Sequence, residues 1–295
     1  MNIFDEIKES FKTGSALTKL IYINLAVFLI IRIVGVFYFL FNVQDIESLP
    51  IVEWLAVPAG LTNLLLKPWT LFTYMFLHLG FLHILFNVLC LYWFGKIFLE
   101  YLSEKQLVGV YILGGLAGAF LYIIAFNGFP VFQPVLQDSY ALGASAAVLA
   151  IVIAISVYVP DYTIHILFLG QVKLKYIAIF AVSLDILSIA SSNAGGHIAH
   201  LGGAIFGYLY IQKYKQGKDI SVGFNRFLND ILSIFKKKKK IKVSYKRPKT
   251  DIEYNEMKVN EQDEINRILD KISKAGYESL SKTEKETLFK ISNKK

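Results

Sequence analysis

Apolar residues along the 295-residue chain gather into runs that approach the ~20 residues needed to cross a bilayer as helix. Six spans are expected, near 18–42, 82–102, 106–127, 142–159, 173–191 and 197–214. The long connection 43–81 is also apolar, in IVEWLAVPAGL and LTNLLLKPWTLF, but Pro50, Pro58 and Pro68 break it. Proline removes a helical hydrogen bond and clashes with the preceding turn, so this stretch is expected to be interfacial or re-entrant, not a seventh span. Small residues recur at four-residue spacing at Gly114 and Gly118, in the GASAA run at 143–147, and at Gly203 and Gly207. In a membrane, where packing and not hydrophobicity drives association, such faces let helices approach closely.

Composition agrees with the pattern. Hydrophobic residues make up 55% of the chain and mean hydropathy is positive, which sets the class as an all-α polytopic membrane protein. The single cysteine, Cys90, excludes an intrachain disulfide framework. The first residues mix charge signs and the first apolar run is long, so no cleavable signal is expected. The net charge of +8 is carried by the tail: 11 basic and 11 acidic residues precede Gln216, and 20 and 12 follow from it. Lysines cluster on one side of the expected spans (Lys8, Lys12, Lys19, Lys96, Lys105, Lys173, Lys175 and Lys213), against Lys67 alone on the other. By that bias both termini are cytoplasmic.

Span direction then brings polar residues to similar depth. His83 and Asn87, at i and i+4 in span two, share a face; Ser145 opens span four; His200 lies about one turn into span six. Ionisable residues inside a membrane are candidates for function. A serine hydroxyl becomes a nucleophile when a nearby base takes its proton, and a tetrahedral oxyanion needs preorganised donors. His83 and Asn87 offer side-chain donors and Ser145 its own amide. No carboxylate is obvious as a third member; Asp185 in span five is read as the acceptor of a structural hydrogen bond before a histidine orienter. The pair His197 and His200 leaves zinc open as well. However, a zinc-protease helix needs histidines at i and i+4 with a glutamate beside the first, and span six has no acidic residue. A transporter is disfavoured because inverted repeats are not evident and the polar residues are shallow.

HILFN at 83–87, GASA at 143–146 and AHLGGAIFG at 199–207 resemble three signatures of the rhomboid intramembrane serine proteases. The resemblance covers about residues 18–214 and implies a six-transmembrane-helix rhomboid-like bundle. It implies Ser145 as nucleophile, His200 as general base, and His83 and Asn87 with the Ser145 amide as the oxyanion site. The implied substrates are transmembrane proteins, cut in or near their membrane segments, with no metal or nucleotide cofactor. The pattern also selects His200 over His197, since glycines then fall at 203 and 207; His197 and His78 are read as bystanders near water, and His165 receives no role. Ala146 stands where glycine often follows the nucleophile, and Thr70 follows Trp69 where many members carry arginine, a task left to Lys67. Glu100 matches a frequent acidic position of structural role. An inactive client-binding relative is the alternative; such relatives generally lack the serine or histidine, and this chain keeps both.

The chain divides into a segment 1–17, a protease domain 18–214, a juxtamembrane region 215–240, a linker 241–260 and a helical module 261–295. In 220–235, Phe224, Phe227, Leu228, Ile231, Leu232 and Phe235 share one helical face, followed by Lys236 to Lys240. That combination reads as an anchor to anionic lipid, not as a nucleic-acid site. In the module, Gly276 is expected to end one helix, and Ser281 with Glu284 to cap a second. The localisation inferred is a bacterial plasma membrane, with the active site opening to the outer side.

Overall fold

The computed structural model describes residues 2–41, 50–166, 170–190, 193–226, 230 and 250–292. It forms two compact units, Met1–Lys236 and Lys237–Lys295. The first unit opens with α1 (Ile3–Thr13) and α2 (Ala16–Leu40), the latter capped by Ser15, whose hydroxyl accepts from the Thr18 amide. Short helices α3 (Pro50–Leu55), α4 (Leu61–Leu66) and α5 (Thr70–Thr73) follow. The prolines keep this connection from forming a spanning helix, as expected for 43–81; residues 42–49 lie outside the described ones. Then come α6 (Phe81–Tyr101), α7 (Glu104–Gly128), α8 (Ser145–Tyr158), α9 (Leu174–Ser188) and α10 (Ala194–Lys215). The helices match the six apolar runs within a few residues. Among the described residues α2, α6 and α7 are long and apolar enough to cross a membrane. Helices α8 and α9 are shorter, at 14 and 15 residues. Helix α10 has the length, but its histidines and glycines dilute its apolarity.

Helix α8 is the hub. Ten of its residues, among them Ala146, Ala147, Ala150 and Ile151, are buried, and it packs against α6, α7, α9 and α10. Alanine and glycine at these contacts bring backbones together. A Cβ on Gly203 would meet the Ala146 carbonyl, one on Gly207 the Ala150 carbonyl, and one on Gly114 the Ala150 methyl. Helix α9 packs more thinly: its buried residues are Leu174, Ala178 and Asp185.

The connection between α2 and α6 braces the segment that enters α8. Two-residue strands β1 (Val57–Pro58) and β2 (Tyr140–Ala141) pair antiparallel, with Val57 opposite Ala141. The Gly143 amide donates to the Tyr74 carbonyl at 2.9 Å, and the Ala144 amide to His78 Nε2 at 3.2 Å. His78 is fully buried, not a residue near water as expected from sequence. In the same connection, Trp54 and Trp69 stack at 5.3 Å, the Trp69 indole donates to the Trp54 carbonyl, and Lys67 Nζ lies 5.8 Å from the Trp54 ring centroid. Thr70, where an arginine was noted as missing, is buried and donates to the Lys67 carbonyl at 2.6 Å. A second strand pair, β3 (Thr163–Ile166) with β4 (Gly170–Lys173), links α8 to α9 and carries His165.

After α10, Asp219 Oδ2 accepts from the Gln106 side chain at 3.0 Å and Oδ1 from the Tyr210 hydroxyl at 3.2 Å, tying this turn to α7. Half of the amphipathic stretch 220–235, with Phe227, Leu228, Ile231, Leu232 and Phe235, and all of Lys236 to Lys240 lie outside the described residues. The second unit contains α11 (Asp251–Ala275) and α12 (Lys282–Ser292). Residues 251–260 are helical and not a linker, because Thr250 and Glu253 form a capping box that starts α11 ten residues earlier than expected. Gly276 ends α11 with φ of 81°, and Ser281 and Glu284 exchange hydrogen bonds at the start of α12, both as expected.

Gly203→Ala is expected to destabilise the detergent-solubilised protein by about 1–3 kcal/mol, because the methyl must push α10 off the Ala146 carbonyl. A thermal melt unchanged from that of the native chain rules this out. Burial, with His83 nearby, pushes the His78 pKa from 6.5 down to about 4. The unfolded chain therefore binds this proton more readily, so the stabilisation is complete above about pH 6.5 and is lost as pH falls through 4. His78→Gln should flatten the decline in melting temperature over that window; an equal decline counts against the assignment.

Candidate active site

Ser145 is the first residue of α8, so its amide is one of those a helix start leaves without an intrahelical partner. Its hydroxyl Oγ lies 2.6 Å from Nε2 of His200, in the second turn of α10. His200 Nδ1 in turn lies 2.8 Å from Oδ1 of Asp185 on α9, and His197 Nδ1 lies 2.8 Å from the same oxygen. A carboxylate accepts, so both Nδ1 atoms donate. That tautomer leaves the lone pair of His200 Nε2 facing the serine hydroxyl. Three helices thus meet in one hydrogen-bonded line.

Gly143 has φ of +121°, a conformation that side-chain-bearing residues rarely adopt. A Cβ there would stand 2.7 Å from His83 Cε1, so the glycine lets the imidazole of α6 close against the entry to α8. His83 and Asn87 line the same cavity, of about 1660 Å³, as Ser145, Asp185, His197 and His200. The Asn87 carboxamide donates to the His83 carbonyl at 2.8 Å, one turn back. The structure therefore gathers Ser145, His200, His83 and Asn87 around one cavity.

Three residues carry more than sequence reasoning gave them. Asp185 is 7% exposed and accepts from two imidazoles, and His197 is bound to it instead of standing free. His78 holds the amide just before Ser145. The available signal was the rarity of an aspartate within an apolar helix; which helix face it occupied was not readable. Asp185, His197 and His200 also each offer one ligand atom, all within 4.8 Å of one another, so the cluster has the reach to hold a metal ion.

A family model described as "Rhomboid domain" matches residues 66–216, about half of the chain. A model for a family of unknown function, DUF6576, matches residues 249–294. The chain is 30% identical over 158 residues to "RHOMBOID-like protein 12, mitochondrial" of Arabidopsis thaliana, covering 50% of this chain and 47% of that one. It is 26% identical over 187 residues to "Presenilin-associated rhomboid-like protein, mitochondrial" of Bos taurus, covering 60% and 45%, and 25% identical over 181 residues to that of Homo sapiens, covering 58% and 44%. The chain spans about half the length of these curated relatives. Their mitochondrial names overturn the bacterial plasma membrane expected from sequence, since charge bias reads which side a loop faces and not which membrane holds it. The chain, mostly helical and with its matching segment wrapped around this cavity, belongs to the rhomboid family.

Proposed function

We propose that this protein is a serine endopeptidase acting within the membrane, on peptide bonds in or near the transmembrane segments of other proteins. The observation that carries the reading is the 2.6 Å contact from Ser145 Oγ to a histidine nitrogen whose lone pair is free to take the proton. In the proposed reaction His200 Nε2 removes the Ser145 proton as Oγ attacks the substrate carbonyl carbon. The carbonyl π pair moves to oxygen, where the Ser145 amide, His83 and Asn87 supply donors. Collapse of the intermediate expels the amine, which takes the proton from His200. Water then repeats the sequence on the acyl-enzyme and releases the acid.

Six crossings of the bilayer, by α2, α6, α7, α8, α9 and α10, are part of this reading. It is supported by the agreement of these helices with the six apolar runs and by the apolar surfaces exposed on α2 and α9, such as Leu29, Phe37, Phe180 and Leu187. An extended substrate segment must present a carbonyl that its own helix no longer occupies, so small or helix-breaking residues around the cleaved bond are favoured.

Purified protein with a fluorogenic transmembrane substrate tests the proposal. Ser145→Ala and His200→Ala should each lower cleavage by about 10³-fold or more in protein that still folds. A fluorophosphonate should label Ser145, and a chelator should leave the rate unchanged. Cleavage that survives Ser145→Ala but stops with the chelator assigns the chemistry to a metal held by Asp185, His197 and His200. Client binding without any cleavage assigns the chain a non-hydrolytic role.

A further inference from the structure

The Ser–His reading leaves the most unusual polar group of the first unit without a task. Asp185 is a nearly buried carboxylate on a thinly packed apolar helix, and such a group is costly unless it is paired and hydrogen-bonded. Its Oδ1 sits between two imidazole nitrogens, each at 2.8 Å, and one of them belongs to the histidine whose other nitrogen faces Ser145. We propose that Asp185 is a positioning residue of the hydrolytic site, making it a Ser145–His200–Asp185 triad in which His197 secures the carboxylate from its other side. The inference rests on the reading of Ser145 and His200 given above.

The geometry gives Asp185 two separate effects. It holds the His200 proton on Nδ1, so that Nε2 keeps the lone pair the reaction needs; the opposite tautomer would present an N–H to Ser145 and stop proton transfer. It also stabilises the imidazolium formed when the serine proton arrives, remaining ionised throughout, because an adjacent opposite charge favours the protonated ring. His197 makes no contact of this kind with Ser145. Its Nδ1–H supplies the second hydrogen bond that a buried carboxylate requires, and its side chain is about one-fifth exposed. The pair at i and i+3 on α10 that raised the question of zinc thus becomes one base and one brace of the same aspartate.

The test uses the full chain in liposomes with the fluorogenic transmembrane substrate, and compares Asp185→Asn, Asp185→Glu, His197→Ala and Ser145→Ala. Asp185→Asn should lower kcat by roughly 10²–10⁴-fold with KM changed little, as expected when an imidazole loses its orienting carboxylate. Asp185→Glu should recover at least about a tenth of the native kcat. The polar groups facing His200 are Ser145 from α8, Asp185 from α9 and His197 on α10, so the kcat loss and its rescue by glutamate read the one contact that is changed. His197→Ala, which leaves the Asp185–His200 bond in place, should lose less than about tenfold. An Asp185→Asn rate within threefold of native, or a slow variant whose loss lies in KM and which glutamate does not rescue, overturns the triad. A His197→Ala loss as deep as that of Asp185→Asn overturns the division of labour between the two histidines. If Ser145→Ala also cleaves, the serine reading fails, a result separate from either of these.

Discussion

The close approach of α8 to α10 is the constraint on which the site depends. A hydrogen bond of 2.6 Å between Ser145 and His200 requires two helix backbones to run nearly in contact. Side chains of ordinary size would hold the axes 8–10 Å apart. Here Gly203 and Gly207 lie against the carbonyls of Ala146 and Ala150, and Gly114 and Gly118 admit the same alanines from α7. Alanine in place of glycine at 146 fits this seam, since its methyl points at the bare Cα of Gly118. Packing of this kind has no hydrophobic driving force in lipid, so it is sustained by dispersion over a long contact and by the polar line that crosses it.

A second constraint acts on the entry to α8. Ser145 is delivered by a segment tied to the preceding connection: the Ser139 carbonyl accepts from the Ala59 amide, and the Gly143 and Ala144 amides donate to the Tyr74 carbonyl and to His78 Nε2. The connection is itself stiffened by the Trp54–Trp69 stack and by the buried Thr70. The position of Ser145 is therefore set from two directions, by the packing of α8 and by a braced loop before it. Gly143 at positive φ is the joint between them, and leaves room for His83.

Much of this was legible in the sequence, for physical reasons that differ by residue. Apolar runs mark the helices because backbone polar groups in lipid must be satisfied within the segment. The H-x-x-x-N spacing puts His83 and Asn87 on one face, and Gly203 and Gly207 could be read as a contact surface. Asp185 and His78 were not legible in the same way. The role of each depends on which way one side chain points across a contact between elements distant in sequence, 15 residues in one case and 66 in the other. The start of α11 was not legible because its first apolar residues, Ile252, Tyr254, Met257 and Val259, are scattered among charged neighbours and stay exposed, leaving the capping box at Thr250 as the signal. The membrane in which the chain resides was misread because hydropathy and charge describe a bilayer without identifying it.

The length of α8 has its own consequence. Its 14 residues rise about 21 Å, some 9 Å less than the ~30 Å hydrocarbon thickness of a typical bilayer. In the six-crossing proposal Ser145 sits at one end of that short rod, so the shortfall falls at its hydroxyl. Either the surrounding lipid thins to meet the helix or the cavity carries water down to it, and each adjustment has an energetic cost per ångström of mismatch. On that proposal bilayer thickness becomes a physical variable of the site: a thin membrane brings the aqueous interface to Ser145, and a thick one buries it.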